Sequence, residues 1–384
     1  MRIIHTSDVH LDACFSASGM PASFGNRRRQ SLRDGFHAII ERAGAWPANA
    51  VLIAGDLFEH DRVSRDTVQF LISEFKSIPS IPVFIAPGNH DPYLPSSPYA
   101  TENWPQNVFI FTKPEWAGFA IGDGEMTVHG FGFDAPRPSH NPFGELFIGE
   151  DRREAIHVAV AHGSERGHQP PDKDEYAAFD AKDAAVAGLD YLALGHFHSV
   201  TPIEGAFETK VYYSGSPEGL SLREAGMHHF LEVEIEKGET KVTAVPSSRM
   251  IYSTHRVTCD AFESAQDLIE AIRTIAREQE VRQTARIILT GSMEASIHGE
   301  MGLVYDAAAI DFEHLYILDQ TSPMDDFDEL AREDTSLGGF VRRLNADIDA
   351  SKDEAERQRL TRARDLGVGA FRGREVEIIG LERG

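Results

Sequence analysis

The stretch Val51-Leu52-Ile53-Ala54-Gly55-Asp56 is a short apolar run that ends in a glycine and a carboxylate. Apolar runs of four to eight residues bounded by turn-forming residues are typical of buried β-strands. Further short apolar runs of this kind lie at residues 3–4, 83–86, 128–133, 158–161 and 191–194. The sequence therefore predicts several buried strands, each followed directly by polar or turn-forming residues.

Helical patterns separate these runs. Apolar residues recur at helical spacing over 32–43 and over 68–75, and residues 180–187 are expected to form a third helix. From about 208 to 248 the pattern changes to strands without helices. Alternating strands and helices predict an α/β fold, and the later strands are expected to extend a second sheet, which would give a layered sandwich.

A second pattern of strands and helices begins after Ser248. Its predicted elements are strands at 251–258, 285–290 and 314–319 and a helix at 263–280. The chain is therefore expected to contain a first α/β domain, a second, small α/β domain and a C-terminal helical segment, over residues 1–248, 249–321 and 322–384.

The C-terminal segment combines an acidic stretch, an apolar stripe and a basic stretch. Residues 322–334 are acidic and predicted to be a loop, whereas apolar residues recur at helical spacing over 337–348. Residues 352–374 contain seven basic side chains. Two interpretations stay open, namely a docking element for a partner's coiled coil and a helix that packs on its own capping domain.

Composition limits the possible classes of protein. Apolar residues make up 41% of the chain, but no run of about 18 apolar residues predicts a membrane span. The N-terminus lacks the apolar core of a signal peptide, so a cytoplasmic location is expected. Cys14 and Cys259 are too few for a disulfide framework or a thiolate metal site. The net charge of −24 disfavours free-standing binding to nucleic acid unless cations or a partner offset it.

Five short motifs of potential ligands follow the predicted strands. They are Asp8-Val9-His10, Gly55-Asp56, Gly88-Asn89-His90-Asp91, His162-Gly163 and Gly195-His196-Phe197-His198. In α/β sheets, ligands bind beyond the carboxyl ends of the strands, so these groups are expected to meet at one edge. In an extended Asp-X-His segment both side chains point the same way. Each motif alone is compatible with a simple turn, but all five in order predict a metal centre.

The ligand types indicate which metals fit this centre. Imidazole, carboxylate and amide groups without a thiolate favour Mn²⁺, Fe, Zn, Co or Ni over Ca²⁺. The motif set resembles the calcineurin-like metallophosphoesterases, whose core is a two-sheet sandwich flanked by helices. The resemblance implies two divalent ions, the first held by Asp8, His10 and His198, the second by Asn89, His162 and His196, and both by Asp56.

The same resemblance implies the catalytic residues. His90 is expected to face the substrate without binding metal, and Asp91 is expected to orient His90 through a hydrogen bond. Relatives from archaea and eukaryotes carry a substrate-facing histidine three residues after the bridging aspartate. Here Glu59 occupies that position and His60 follows it, so both are possible substrate contacts. For His60, a plain loop histidine is the competing interpretation.

A narrower resemblance rests on residues 5–11, 55–58, 191–198 and 213–217. These segments are similar to SbcD-type DNA double-strand break repair nucleases, and Leu11-Asp12 is closer to the YhaO-like branch. The resemblance covers about residues 1–220. It implies that residues 1–248 form the catalytic domain and that a small capping domain and a partner-binding tail follow. It implies an exonuclease or endonuclease that uses two ions, most often Mn²⁺, and acts on DNA with an SbcC-like coiled-coil ATPase. It also implies a possible homodimer.

Two other functions compete with the DNA nuclease. The same dinuclear site serves a phosphodiesterase or phosphatase for small molecules, for which an acidic chain is no obstacle. A non-catalytic scaffold would retain the metal site for structure alone, but an intact His90 argues against it. The basic run Arg27-Arg28-Arg29 is expected to form a solvated face of a helix, and contact with a phosphate backbone is the alternative.

Overall fold

The structure is a computed structural model that describes residues 1–15, 22–138, 140–149, 155–168, 174–206, 208–236, 239–323 and 325–373. The first part of the chain forms twelve strands, β1 to β12, at Arg2–Thr6, Ala50–Ile53, Val83–Ile85, Val108–Ile110, Ala117–Ile121, Met126–Gly130, Ile156–His162, Tyr191–Gly195, Thr201–Ile203, Lys210–Tyr213, His229–Glu236 and Glu239–Pro246. Three helices, α1 to α3, lie among them at Ala22–Ala45, Arg65–Ser77 and Pro98–Thr101.

These strands form two six-stranded mixed sheets. The order in the first sheet is β12-β11-β1-β2-β3-β4, with β1 to β4 parallel and β11 and β12 antiparallel. The order in the second is β5-β6-β7-β8-β10-β9, with a parallel centre and antiparallel edges. The predicted α/β fold with two sheets flanked by helices is confirmed.

Buried side chains explain this layered arrangement. One apolar cluster combines Leu52 and Phe84 of the first sheet with Val158 and Val160 of the second. In both sheets, the strands that carry these residues are buried on two faces. For this reason the sequence shows continuous apolar runs in these strands rather than alternation. A second cluster covers the outer face of the first sheet with the apolar stripes of α1 and α2. Every strand end that carries a predicted ligand is thus held by a packed core.

A buried ion pair joins α1 to the segment after β10. Arg28 is fully buried, and its guanidinium donates to Glu218 at 3.2 Å and to the Gly219 carbonyl at 2.7 Å. The rings of Phe15 and Tyr252 each lie 5.4 Å from the guanidinium carbon. Burial raises the pKa of Glu218 to about 7 even though Arg28 lowers it. The expectation of a solvated face is therefore wrong for Arg28, because helix packing turns this side chain inward.

Replacing Arg28 by methionine is expected to lower the free energy of unfolding by about 3–5 kcal/mol, since Glu218 loses its buried partner. Urea unfolding followed by circular dichroism measures the change. Arg29→Met is the matched control, because Arg29 donates only to Asn26 on the same helix among the described contacts, and its replacement is expected to cost about 0.5 kcal/mol or less. Equal effects of the two substitutions would contradict the importance of the buried pair.

The rest of the chain contains further strands and helices. Strands β13 to β17 lie at Met250–Thr258, Arg282–Thr290, Ser292–Met293, His314–Asp319 and Ser322–Pro323. Helices α4 to α9 lie at Ala265–Arg277, Ala295–Gly299, Met301–Ala309, Phe327–Arg332, Ser336–Ala350 and Glu354–Phe371. The four elements predicted between 251 and 319 and the helix predicted over 337–348 are confirmed, whereas α5 and α6 were not predicted.

Two local predictions are wrong. Residues 180–187 form only a single 3-10 turn at Ala181–Ala184, where Asp180 and Asp183 cap one another. Residues 322–334 are not all loop, because Asp326 accepts hydrogen bonds from Asp328 and Glu329 and so begins α7. The acidic residues of this stretch thus lie at the N-terminus of α7. A helix N-terminus favours negative charge.

The described chain divides into two compact units, and each unit consists of several segments that alternate along the sequence. The first contains 1–255, 270–287 and 305–317, and the second contains 256–269, 288–304 and 318–384. The predicted three-part division at 248 and 321 stays a prediction. In the second unit, Val341 of α8 and Val368 of α9 are buried with Leu330. Among the described helices, none has the length and apolar character needed to cross a bilayer.

Candidate metal centre

The predicted ligands lie just beyond strand ends. Asp8 and His10 follow β1, Asp56 follows β2, Asn89 and His90 follow β3, His162 ends β7, and His196 and His198 follow β8. Since β1, β2 and β3 are parallel to one another, and β7 is parallel to β8, each sheet places its ligands at one edge. The sequence prediction that these motifs meet is therefore supported by the topology.

The backbone at this edge is left-handed at four of the predicted ligands. The φ angles are 52° at Asp8, 49° at His10, 53° at Asp56 and 115° at His196. Non-glycine residues adopt such angles rarely and at a cost of about 1–3 kcal/mol each, typically at functional sites. The extended geometry considered for Asp8-Val9-His10 is therefore absent. Sharp turns bring the side chains together instead.

Two ligand groups match those implied by the resemblance. Asp8, His10 and His198 offer atoms within 4.8 Å of one another, and so do Asp56, His162 and His196. Asp56 also forms a group with His10 and His90. The Asp56 Oδ2 atom lies 3.4 Å from His162 Nε2 and 3.9 Å from His10 Nε2, so one carboxylate reaches both sides of the site.

The histidine orientations test whether cations fit here. His10 donates from Nδ1 to Glu59 at 2.8 Å, and His198 donates from Nδ1 to Glu224 at 3.0 Å. A neutral imidazole that donates from Nδ1 has only a lone pair at Nε2, yet the two Nε2 atoms lie 3.3 Å apart. Two facing lone pairs repel unless a proton or a cation lies between them. The donor set therefore fits a metal ion.

The second group has the same feature. His162 donates from Nδ1 to the Ala54 carbonyl at 2.9 Å, which leaves a lone pair at Nε2. That atom lies 3.0 Å from Asn89 Oδ1, which is also an acceptor. Gly88 is required beside it, because a Cβ atom at this position would lie 2.4 Å from Asp56 Oδ1. The residues of this group fit a second ion.

Asp91 has a different task from the predicted one. Its buried carboxylate accepts from the backbone N–H groups of Asp56, Leu57 and Gly88 at 2.9, 2.8 and 2.7 Å, and from the Tyr99 hydroxyl at 2.7 Å. These four donors occupy both oxygens, so Asp91 joins the turns after β2 and β3. The expected hydrogen bond that orients His90 comes from another residue.

That residue is Glu59, which the sequence suggested only as a substrate contact. His90 donates from Nδ1 to Glu59 Oε2 at 3.0 Å, while Oε1 accepts from His10. Burial disfavours the charged carboxylate, but these two hydrogen bonds hold the pKa of Glu59 below its ordinary value. The hydrogen bond to Glu59 raises the pKa of His90 to about 9. His60 contributes its backbone N–H, which donates to the His90 carbonyl at 2.9 Å.

Sequence reasoning missed Glu224. One of its oxygens accepts from His198, and the other accepts from the Leu220 backbone N–H at 2.8 Å. Burial opposes its charge, but the His198 contacts lower the pKa of Glu224 to about 2. No ligand spacing marks this glutamate, because it lies 26 residues from the histidine that it holds. Its position after the Tyr213–Pro217 segment was the only signal available.

Comparison with known proteins agrees with this geometry. Residues 1–200 match the calcineurin-like phosphoesterase family. The chain belongs to that family. Members of this family are metal-dependent hydrolases, and two divalent metal ions are typical of them.

Two known proteins are similar to part of this chain. The uncharacterized metallophosphoesterase YhaO of Bacillus subtilis is 28% identical over 245 residues, which are 62% of this chain and 58% of YhaO. The DNA double-strand break repair protein Mre11 of Methanopyrus kandleri is 25% identical over 257 residues, which are 63% of this chain and 52% of Mre11. The chain thus spans little more than half the length of these relatives.

Proposed function

We propose that this phosphoesterase is a nuclease of the SbcD type, which hydrolyses DNA phosphodiester bonds with two Mn²⁺ ions. The observation that carries the proposal is the pair of ligand groups that meet at Asp56, with the half-exposed His90 beside them. The similarity to a protein named for DNA double-strand break repair supports DNA as the substrate. Exonuclease and endonuclease action are both compatible with this site.

The side chains divide the work of such a reaction. Asp8, His10 and His198 would hold one cation, Asn89, His162 and His196 would hold the other, and Asp56 would contribute to both sites. When bound, two divalent cations make a nucleophilic water available at neutral pH and offset charge on the phosphate. His90, whose side chain is 43% exposed, faces the substrate, stabilises charge on the non-bridging oxygens and delivers a proton to the leaving oxygen.

A cavity favours a second candidate function, hydrolysis of a small phosphodiester or phosphate ester. It has a volume of about 340 Å³ and is lined by His198, Ser216, Arg223 and Met227. Small-molecule sites typically begin near 300 Å³. Arg223 is exposed, and its guanidinium has no partner among the described residues, so it is available to an anion. The cavity shares His198 with the candidate metal centre.

Cleavage assays distinguish the two functions. We expect the Mn²⁺-loaded protein to cleave labelled double-stranded or single-stranded DNA as well as bis-p-nitrophenyl phosphate. Asp56→Asn is the control for contaminating nucleases and is expected to abolish both activities. Cleavage of the small diester without any cleavage of DNA would favour the second function. Loss of DNA cleavage in the presence of EDTA, restored by Mn²⁺ but not by Zn²⁺, would support the proposed metal.

An SbcC-like coiled-coil ATPase and a second copy of the chain are the proposed partners. The resemblance to SbcD-type nucleases supports both partners, and a charge argument supports the ATPase. In its favour, α9 presents Arg357, Arg359 and Arg362 on a chain that is otherwise acidic, and an ATPase with a positive DNA-binding surface would offset the net charge of −24. Co-purification with such an ATPase, and light scattering of the isolated chain, test the two partners.

A further inference from the structure

Glu59 connects two histidines that have different exposure. Its Oε1 atom accepts from the Nδ1–H of His10, whose side chain is 4% exposed, at 2.8 Å. Its Oε2 atom accepts from the Nδ1–H of His90, whose side chain is 43% exposed, at 3.0 Å. One carboxylate therefore reaches from the interior of the candidate metal centre to its open side.

The backbone holds Glu59 in this place. Its N–H donates to the Leu11 carbonyl at 3.0 Å, next to His10 in the chain. The following residue, His60, donates its N–H to the His90 carbonyl at 2.9 Å. The segment at Glu59 is thus attached to the backbone beside both histidines. Movement of Glu59 would disturb both rings at once.

The two hydrogen bonds also determine which ring nitrogens are available. A carboxylate oxygen accepts only, so both Nδ1 atoms carry a hydrogen, and Nε2 is the ring nitrogen that remains available in each histidine. For His10 that atom is directed at His198 Nε2, 3.3 Å away. The ring of His90 lies beside the ring of His10, with centroids 4.8 Å apart and planes at 86°.

We propose that Glu59 is a positioning residue that ties the placement of His90 to the metal ligand His10. The inference rests on the proposed phosphodiesterase function. It assigns to Glu59 a contact with two protein side chains rather than with substrate. A cation that orders the His10 ring would, through Glu59, also order the ring that faces the substrate.

Glu224 provides the comparison that separates the two parts of this role. It holds the Nδ1 atom of His198 in the same way, but its other oxygen accepts from the Leu220 backbone instead of a second histidine. Loss of Glu224 is therefore expected to weaken metal binding without displacing His90. Loss of Glu59 is expected to weaken metal binding and also to displace His90.

Glutamine tests both positions because it has the shape of glutamate but only one accepting oxygen. Glu59→Gln therefore retains both histidine contacts only if one imidazole moves its hydrogen from Nδ1 to Nε2, and otherwise it loses one of them. We expect it to lower the Mn²⁺ affinity measured by calorimetry and kcat for bis-p-nitrophenyl phosphate at saturating Mn²⁺, each by about 10- to 100-fold or less, with little change in KM. Glu224→Gln is expected to lower the affinity as well, but to lower kcat at saturating Mn²⁺ by less than Glu59→Gln does.

Two controls make the test specific. Glu74→Gln removes a carboxylate that also holds a histidine, His37 at 2.9 Å, outside the candidate metal centre, and it is expected to change neither quantity. In the His90→Ala background, Glu59→Gln is expected to lower kcat no further, because the residue through which it acts is gone. The effect on Mn²⁺ affinity should persist there, since His10 is still present.

Several outcomes would overturn the proposal. One is a Glu59→Gln variant that behaves like Glu74→Gln. Another is an equal loss of kcat from Glu59→Gln with and without His90. A wild-type protein that hydrolyses no diester would refute the proposed function itself. In that case calorimetry of Glu59→Gln against Glu74→Gln would still decide whether Glu59 supports His10.

Discussion

Replacing His90 by alanine is expected to lower kcat for bis-p-nitrophenyl phosphate by about 10²- to 10⁴-fold, the range for loss of a proton-transferring side chain. The His90 ring is the half-exposed histidine of the site, and its Nδ1 is engaged by Glu59. The backbone N–H of residue 90, which donates to Asp56 Oδ1 at 2.8 Å, is unaffected by the substitution. Both metal ions are therefore expected to stay bound.

Calorimetry and metal analysis of the purified variant test this separation of roles. His60→Ala is the matched control, because His60 is the neighbouring loop histidine whose described contact with His90 is through the backbone. It is expected to retain most of the activity. Loss of one equivalent of Mn²⁺ from His90→Ala would show that His90 is a ligand. The group of His10, Asp56 and His90 would then be a metal site.

Replacing Asp56 by asparagine is expected to remove activity by removing metal. The substitution preserves shape and the oxygen that accepts from the His90 backbone. It replaces Oδ2, the atom 3.4 Å from His162 and 3.9 Å from His10, with an amide nitrogen that cannot bind a cation. We expect the decrease in Mn²⁺ affinity to be larger than the decrease of about 10- to 100-fold that is typical of residues that only support ligands.

Titration of the apo protein with Mn²⁺ measures the loss. Asp12→Asn is the matched control, since Asp12 also has a left-handed backbone but its carboxylate accepts from Ser64 and Thr67 at the start of α2. Asp12→Asn is expected to retain both ions. Two ions bound with normal affinity by Asp56→Asn would mean that the two ligand groups do not share this carboxylate.

Much of the fold follows from local patterns in the sequence. Residues 51–54 and 83–86 are apolar without interruption because both faces of β2 and β3 are buried, and that pattern alone predicts them. The stripe over 337–348 predicts α8 for a similar reason. The helix expected over 180–187 failed because residues 180 and 183 cap each other over a single turn, a contact that periodicity does not reveal.

The candidate ligands were also predictable, because each follows a strand and parallel strands end at the same edge. Accordingly, Asp8 lies with His10 in one candidate ligand group, and Asp56 lies with His162 in another. The turns that join them did not follow the extended geometry, since long-range packing imposes left-handed angles that local preference disfavours.

The amino-acid sequence by itself thus determined the order of the motifs along the chain, the types of ligand and the family that they indicate. Only the tertiary structure decided which carboxylate serves which histidine: Glu59 holds His90 and His10, Asp91 holds the turns, and Glu224 holds His198. The reason is physical. Secondary structure depends on neighbours a few residues apart, whereas the hydrogen bonds of Glu59 and Glu224 to histidines join residues separated by 26 to 49 positions and form only when the packed sheets bring them together.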